Sequence, residues 1–164
     1  MKTKDITRIS FLSSILVCVF LAFSQIMYLE LVTTTLLLYS LNLEIRDSFM
    51  VALIFGAVLL LIFGIQSFSI MYMIIFPIFA LIISFSKKLL NKNNWLIIIV
   101  GGLFSFLLGT LVDLPYILFS GKATYIYLIM GFQVGVVQGF ATVVVLTLVF
   151  ESLNNKFKLI MKGN

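Results

Sequence analysis

The sequence predicts an all-α membrane protein: a bundle of six transmembrane helices with both termini in the cytoplasm. Three observations predict it. Hydrophobic residues make up 62% of the chain and charged residues only 10%, whereas a soluble domain carries about 25% charged residues. The apolar residues fall into six runs, and a bilayer core of ~30 Å needs about 20 of them per helical crossing. The basic residues lie between the runs and favour alternate turns.

At 164 residues the chain reads as one membrane domain, 1–164, with no room for an attached soluble enzyme. The six runs are 9–28, 31–43, 49–65, 68–85, 95–119 and 125–153. The first follows Lys2, Lys4 and Arg8, and no small-residue cleavage box closes it. It therefore reads as a retained span, not a cleaved signal. Runs two and three are short, which suits a thinned bilayer or a place inside the bundle. The break between them holds Asn42, Glu44, Arg46 and Asp47. Charges so dense are costly at the bilayer centre, so this reads as a turn at the water interface. The sixth run is long enough to extend beyond the bilayer at ~1.5 Å per residue.

Orientation follows from lysine and arginine. With the N-terminus inside, the cytoplasmic segments hold Lys2, Lys4, Arg8, Arg46, Lys87, Lys88, Lys92, Lys156, Lys158 and Lys162. The outside segments hold only Lys122. This positive-inside bias runs through every loop and favours six crossings over five. It also accounts for the net charge of +5 better than nucleic acid does, because the cations sit in short clusters between apolar runs.

Enzymatic chemistry has little to stand on. There is no histidine, and the single cysteine, Cys18, lies in an apolar run. That removes Ser-His and Cys-His nucleophile pairs, the histidine proton relay and the commonest metal ligand. No Gly-rich phosphate loop, metal-ligand spacing or pair of carboxylates on one helix face is present. The expectation is no catalysis, no cofactor and no metal, and any active transport would need an external motor.

Three constellations remain. The first run carries Ser14, Cys18 and Ala22 at four-residue spacing, with Ser10 one turn earlier. Small side chains on one face let another helix approach closely, either inside the bundle or from a second membrane subunit. The fifth run carries Gly101, Ser105, Gly109 and Asp113, and the sixth carries Gly131, Gly135 and Gly139. These ridges can face each other, or let a substrate lie against helix backbone. Asp113 is the most informative residue, because an acid inside an apolar run marks a functional site by default. In a helix reaching residue 119 it would lie roughly 9 Å down, with Pro115 freeing the carbonyl of Leu111. A structural partner for it could be Lys122, Tyr125 or Thr110. Other polar groups converge on the same side: Gln25 and Glu30, then Gln66, Ser67 and Tyr72, then Tyr116, Lys122, Tyr125 and Gln133. The candidate substrate-binding set is Asp113, Gln133, Gln66, Tyr72, Tyr116, Tyr125 and Glu30.

The arrangement resembles the substrate-binding S components of energy-coupling factor (ECF) vitamin transporters over nearly the whole chain. The resemblance rests on the ridge Ser14-x3-Cys18-x3-Ala22 and on the short second run ending Tyr39-Ser40-Leu41-Asn42-Leu43. It rests also on Ser69-Ile70-Met71-Tyr72 through Phe76-Pro77 into Ser86-Lys87-Lys88, and on Asp113-Leu114-Pro115-Tyr116. It implies high-affinity binding of a small water-soluble vitamin or precursor from outside, in a bacterial plasma membrane. It also implies partners, namely a transmembrane coupling subunit and two ATPases. In the family, two alanines on the first helix meet the coupling subunit; here Ser14, Cys18 and Ala22 stand there, and only Ala22 is alanine. The identity of the vitamin stays open: pyridoxine, a thiamine precursor, thiamine, pantothenate or cobalamin. A second resemblance is to the rod-shape-determining MreD proteins, structural membrane partners of similar length with six helices. A small channel or holin-like protein fits less well with six well-formed helices and a one-sided polar cluster.

Overall fold

The computed structural model describes residues 3–24, 26, 31–118 and 120–162, and these are helical with short turns. The helices are α1 (Thr3–Phe23), α2 (Leu31–Asn42), α3 (Ile45–Phe63), α4 (Ser67–Leu90), α5 (Asn94–Leu111) and α6 (Gly121–Lys162). A 3-10 helix, Leu114–Leu118, joins α5 to α6. Five segments are long and apolar enough to cross a membrane: Thr3–Phe23, Ile45–Phe63, Ser67–Leu90, Asn94–Tyr116 and Thr124–Ile160. The exception is α2. Its 12 residues make a rod ~18 Å long at 1.5 Å per residue, short of a ~30 Å hydrocarbon core.

The shortness of α2 goes with its position. It packs against all five other helices and forms the axis of the bundle. Every residue from Val32 to Leu41 is buried except Thr35, which is half-buried. A helix apolar on every side is stable only when it is enclosed. Helix C-termini leave carbonyls short of backbone donors, and side chains add donors to the carbonyls at this end. Asn42 Nδ2 donates to Leu38 at 2.8 Å, Ser48 Oγ to Tyr39 at 3.4 Å, and Ser84 Oγ to Ser40 at 3.3 Å. Lys87 Nζ donates to the Leu43 carbonyl at 3.4 Å, placing a cation at the negative end of the helix dipole.

The other helices form two antiparallel pairs around this axis, α3 with α4 and α5 with α6, and α1 packs on α2 and α3. Leu16, Leu36, Leu37, Phe55, Leu59, Phe76, Phe79 and Ile83 are fully buried. Phe79 of α4 stacks on Phe104 of α5 with centroids 3.6 Å apart. Phe20, Phe55, Phe63, Phe68, Tyr72 and Phe76 tie α1, α3 and α4 together, mostly edge to face. In lipid such packing replaces the hydrophobic effect as the force between helices.

Three polar contacts gather one end of the bundle. Arg8 of α1 forms an ion pair with Asp47 of α3. Asn42 Nδ2 of α2 donates to Asn154 Oδ1 of α6 at 2.8 Å. The Lys87–Leu43 bond adds the last turn of α4. This end carries Lys4, Arg8, Arg46, Lys87 and Lys156, and is termed the basic end below. Asp47 departs from the sequence reading, which left it in a water-facing turn: its side chain is 6% exposed, because α3 begins at Ile45 and puts it in the first helical turn, facing Arg8.

Helix ends also differ from the expected runs. α4 continues to Leu90 through Lys87 and Lys88, because cations suit a helix C-terminus. α6 continues to Lys162. α5 stops at Leu111, well before residue 119, because a helix does not continue into the residue before a proline.

Candidate functional site

The site is built at the end opposite the basic one, where α5 stops. Val112 caps the helix, its amide still bonded to the Leu108 carbonyl. Pro115 prevents another α-helical turn, and the Tyr116 amide closes the 3-10 turn on the Asp113 carbonyl at 3.1 Å. Asp113 is therefore in the turn beyond the last α-helical residue, and not a turn or more down an intact helix as the sequence reading has it. The Val112 carbonyl accepts a hydrogen bond from Ser67 Oγ at 2.8 Å. Ser67 is the first residue of α4, so the turn that carries Asp113 is tied to the start of that helix.

Asp113 is half-buried, and no donor among the described residues reaches its carboxylate. The structural partners considered for it are engaged elsewhere or turned out. Thr110 Oγ1 donates to the Phe106 carbonyl at 2.9 Å. Lys122 and Tyr125 are exposed at the start of α6. Tyr116 lies in the 3-10 helix and stacks on Tyr127, with centroids 4.7 Å apart and planes 16° apart. Tyr127, which the sequence reading passed over, is thus the α6 tyrosine that joins this turn, whereas Tyr125 is 67% exposed.

Below the turn, α5 and α6 meet backbone to backbone. A Cβ on Gly135 would stand 2.5 Å from the Phe106 carbonyl oxygen and 2.7 Å from Thr110 Oγ1. One on Gly109 would stand 2.8 Å from Gly135 Cα and collide with Gln138 Oε1. The two glycine ridges face each other, and this close approach occupies the seam. Polar groups ride on it. Thr142 Oγ1 donates to Ser105 Oγ at 2.9 Å, both buried. One turn along, Gln138 lies against Gly109 with its Oε1 buried and unpartnered.

The remaining candidates do not join Asp113. Gln66 caps α4: its side chain accepts from the Ser69 amide in a reciprocal capping box and donates from Nε2 to the Phe63 carbonyl at 3.1 Å. Tyr72 belongs to the aromatic cluster, with its ring 5.8 Å from Phe20 and 5.0 Å from Phe76. Gln133 is exposed, on the side of α6 away from buried Gly131 and Gly135. At ~100° per residue, two positions along a helix reverse the direction of a side chain. The same arithmetic puts Gln138 and Thr142 on the glycine face, and this was the signal for Gln138. Gln25 and Glu30 lie outside the described residues.

On α1, Ser10, Ser14, Cys18 and Ala22 are all exposed, while Ile9, Leu12, Ser13 and Leu16 face inward. The small-residue ridge does not pack within its own bundle. Among the described residues no three metal-ligating side chains converge. Comparison with family models, with curated proteins and with solved structures finds no match for this chain.

Proposed function

We propose that this protein is a substrate-binding S component of an ECF-type importer, which captures a small water-soluble vitamin or precursor and passes it inward with the help of ATP-hydrolysing partners. The observation that carries this reading is the outward face of α1. Ser14, Cys18 and Ala22 present a close-approach surface that no helix among the described residues covers. An importer subunit without an ATP site needs such a surface for its coupling partner. A second feature supports it: a half-buried acid, Asp113, lies on a turn held by α4 with no donor among the described residues. In this reading α2 is a short sixth crossing, both termini are cytoplasmic, and the basic end faces the cell interior. Clustering of basic residues at that end supports the orientation.

The test is isothermal titration of the detergent-purified protein against B vitamins, with circular dichroism to show that it is folded. Tight binding of one vitamin is the expected result. Silence across the panel from folded protein would replace this reading with the MreD-like structural one.

A further inference from the structure

The apolar part of α6 is longer than a bilayer is thick. Thr124–Ile160 has 37 residues, or ~55 Å at 1.5 Å per residue, whereas a bilayer with its headgroups measures about 40–45 Å. α5 runs beside it: Gly131 lies against Gly109 and Thr110, and Gly101 against Leu146. The two helices therefore tilt together. A shared tilt of about 35–40°, at the upper end for transmembrane helices, brings the whole stretch within the headgroups.

The pairing also sets a level at the basic end. Trp95 is six residues before Gly101, and Ser152 is six after Leu146, so the two stand at similar height. Trp95 is 66% exposed in the first turn of α5, and an exposed tryptophan at a helix end marks the membrane interface. α6 continues ten residues further, to Lys162.

Those last turns have three different sides. Asn154 and Phe157 hold one side to Asn42 and Tyr39 of α2. Glu151, Asn155 and Lys158 are exposed on a polar side. The third is apolar: Leu159 is 72% and Ile160 65% exposed, about three turns beyond exposed Leu148 and Val149 on the same side. Lys156 shares this side, being three and four residues from Leu159 and Ile160. Neither Lys156 nor Lys158 has an ion pair or hydrogen bond among the described residues. The exposed cations at this end are Lys4, Arg46, Lys88, Lys92, Lys156 and Lys158, against exposed Glu44 and Glu151.

We propose that the last turns of α6 are a binding surface for anionic phospholipid. Leu159 and Ile160 enter the boundary between headgroups and acyl chains, and Lys156 snorkels from the same side to a phosphate. Lys158 reaches a neighbouring headgroup from the polar side. Apolar area and positive charge act together, as in other interfacial helices. Continuity favours lipid over a protein as the occupant, because the apolar side runs on from the membrane-embedded part of the same helix. The excess of exposed cations favours an anionic headgroup over a zwitterionic one.

The experiment uses the full chain reconstituted in lipid. Leu159→Trp combined with Trp95→Phe leaves a single tryptophan, at the end of α6. Brominated phosphatidylglycerol should quench its fluorescence more strongly than brominated phosphatidylcholine at equal mole fraction. The difference should shrink in about 0.5 M salt. Adding Lys156→Gln and Lys158→Gln should reduce the preference for phosphatidylglycerol about 5- to 30-fold, at roughly 5-fold per lysine. Equal quenching by both lipids would overturn the anionic selectivity. No quenching by either would overturn lipid contact and leave this side to a protein partner. A second measurement needs no tryptophan change. In mixed micelles phosphatidylglycerol should raise the melting temperature of the unaltered chain above its value in phosphatidylcholine, and the double lysine variant should lose that gain. A melting temperature indifferent to headgroup, or a gain kept by the lysine variant, would also overturn the proposal.

Discussion

Arg8, near the start of α1, donates a hydrogen bond to the carboxylate of Asp47 in the first turn of α3, across 39 residues of chain. The two partners are unequally covered: the side chain of Arg8 is 37% exposed and that of Asp47 is 6% exposed. Removing either one therefore has different consequences. Arg8→Ala strands a buried carboxylate and should cost about 3 kcal/mol, toward the range for broken buried pairs. Asp47→Asn leaves a cation that can reach water and should cost about 1 kcal/mol. Joint replacement by leucine should recover most of the loss. Thermal unfolding in detergent measures all three, and equal losses for the two single variants would refute the asymmetry.

The α5–α6 seam gives a contrast between two glycines. Gly135→Ala would press a methyl group against the Phe106 carbonyl and should destabilise by about 1–3 kcal/mol, the cost of overpacking. Gly121→Ala meets nothing within 4 Å and should be neutral. The two variants, compared by melting temperature, separate backbone contact from general helix propensity.

The ridge on α1 separates partner docking from ligand capture. Ser14→Trp with Cys18→Trp should abolish uptake in cells and leave vitamin binding by purified protein unchanged, because both positions are exposed. Loss of binding together with uptake would show that the ridge is needed inside the fold.

Asp113→Asn should weaken ligand binding by about 1.5–3 kcal/mol, the range for a hydrogen bond to a charged group. Its fold should persist, since no partner among the described residues depends on the charge. Titration with unaltered affinity would remove Asp113 from the site.

Topology is open to direct measurement. Reporter fusions at either terminus should give cytoplasmic activity, because the basic residues gather at the end where α1 begins and α6 finishes. A C-terminal reporter active only outside would reverse the orientation.

Hydropathy made the helices legible, since each apolar run demands internally satisfied backbone and so becomes a helix in lipid. The brevity of α2 was legible too, and the charges after Leu43 explain where it stops. What sequence spacing did not reveal was pairing at a distance. Nothing local links Arg8 to Asp47, and a charge-rich turn reads as solvent-facing until its partner on another helix is seen. Gln133 was chosen for depth, but direction decides: it shares a level with the glycine ridge and points away from it, whereas Gln138 is on the ridge. Tyr125 and Tyr127 differ in the same sense. Asp113 was visible as a lone acid, while its place in a turn followed from Pro115, whose helix-ending effect outweighs the apolar run around it.

The 42 residues of α6 form a rod of roughly 63 Å at 1.5 Å per residue. One end carries Tyr127 against Tyr116; the other carries Phe157, 5.5 Å from the ring of Tyr39 on the central helix. Such a rod is a lever. A tilt of about 10° with one end fixed sweeps the other through roughly 11 Å, given that length. A tilt about the Tyr116 turn would therefore be largest at the basic end, where Asn154 accepts from Asn42.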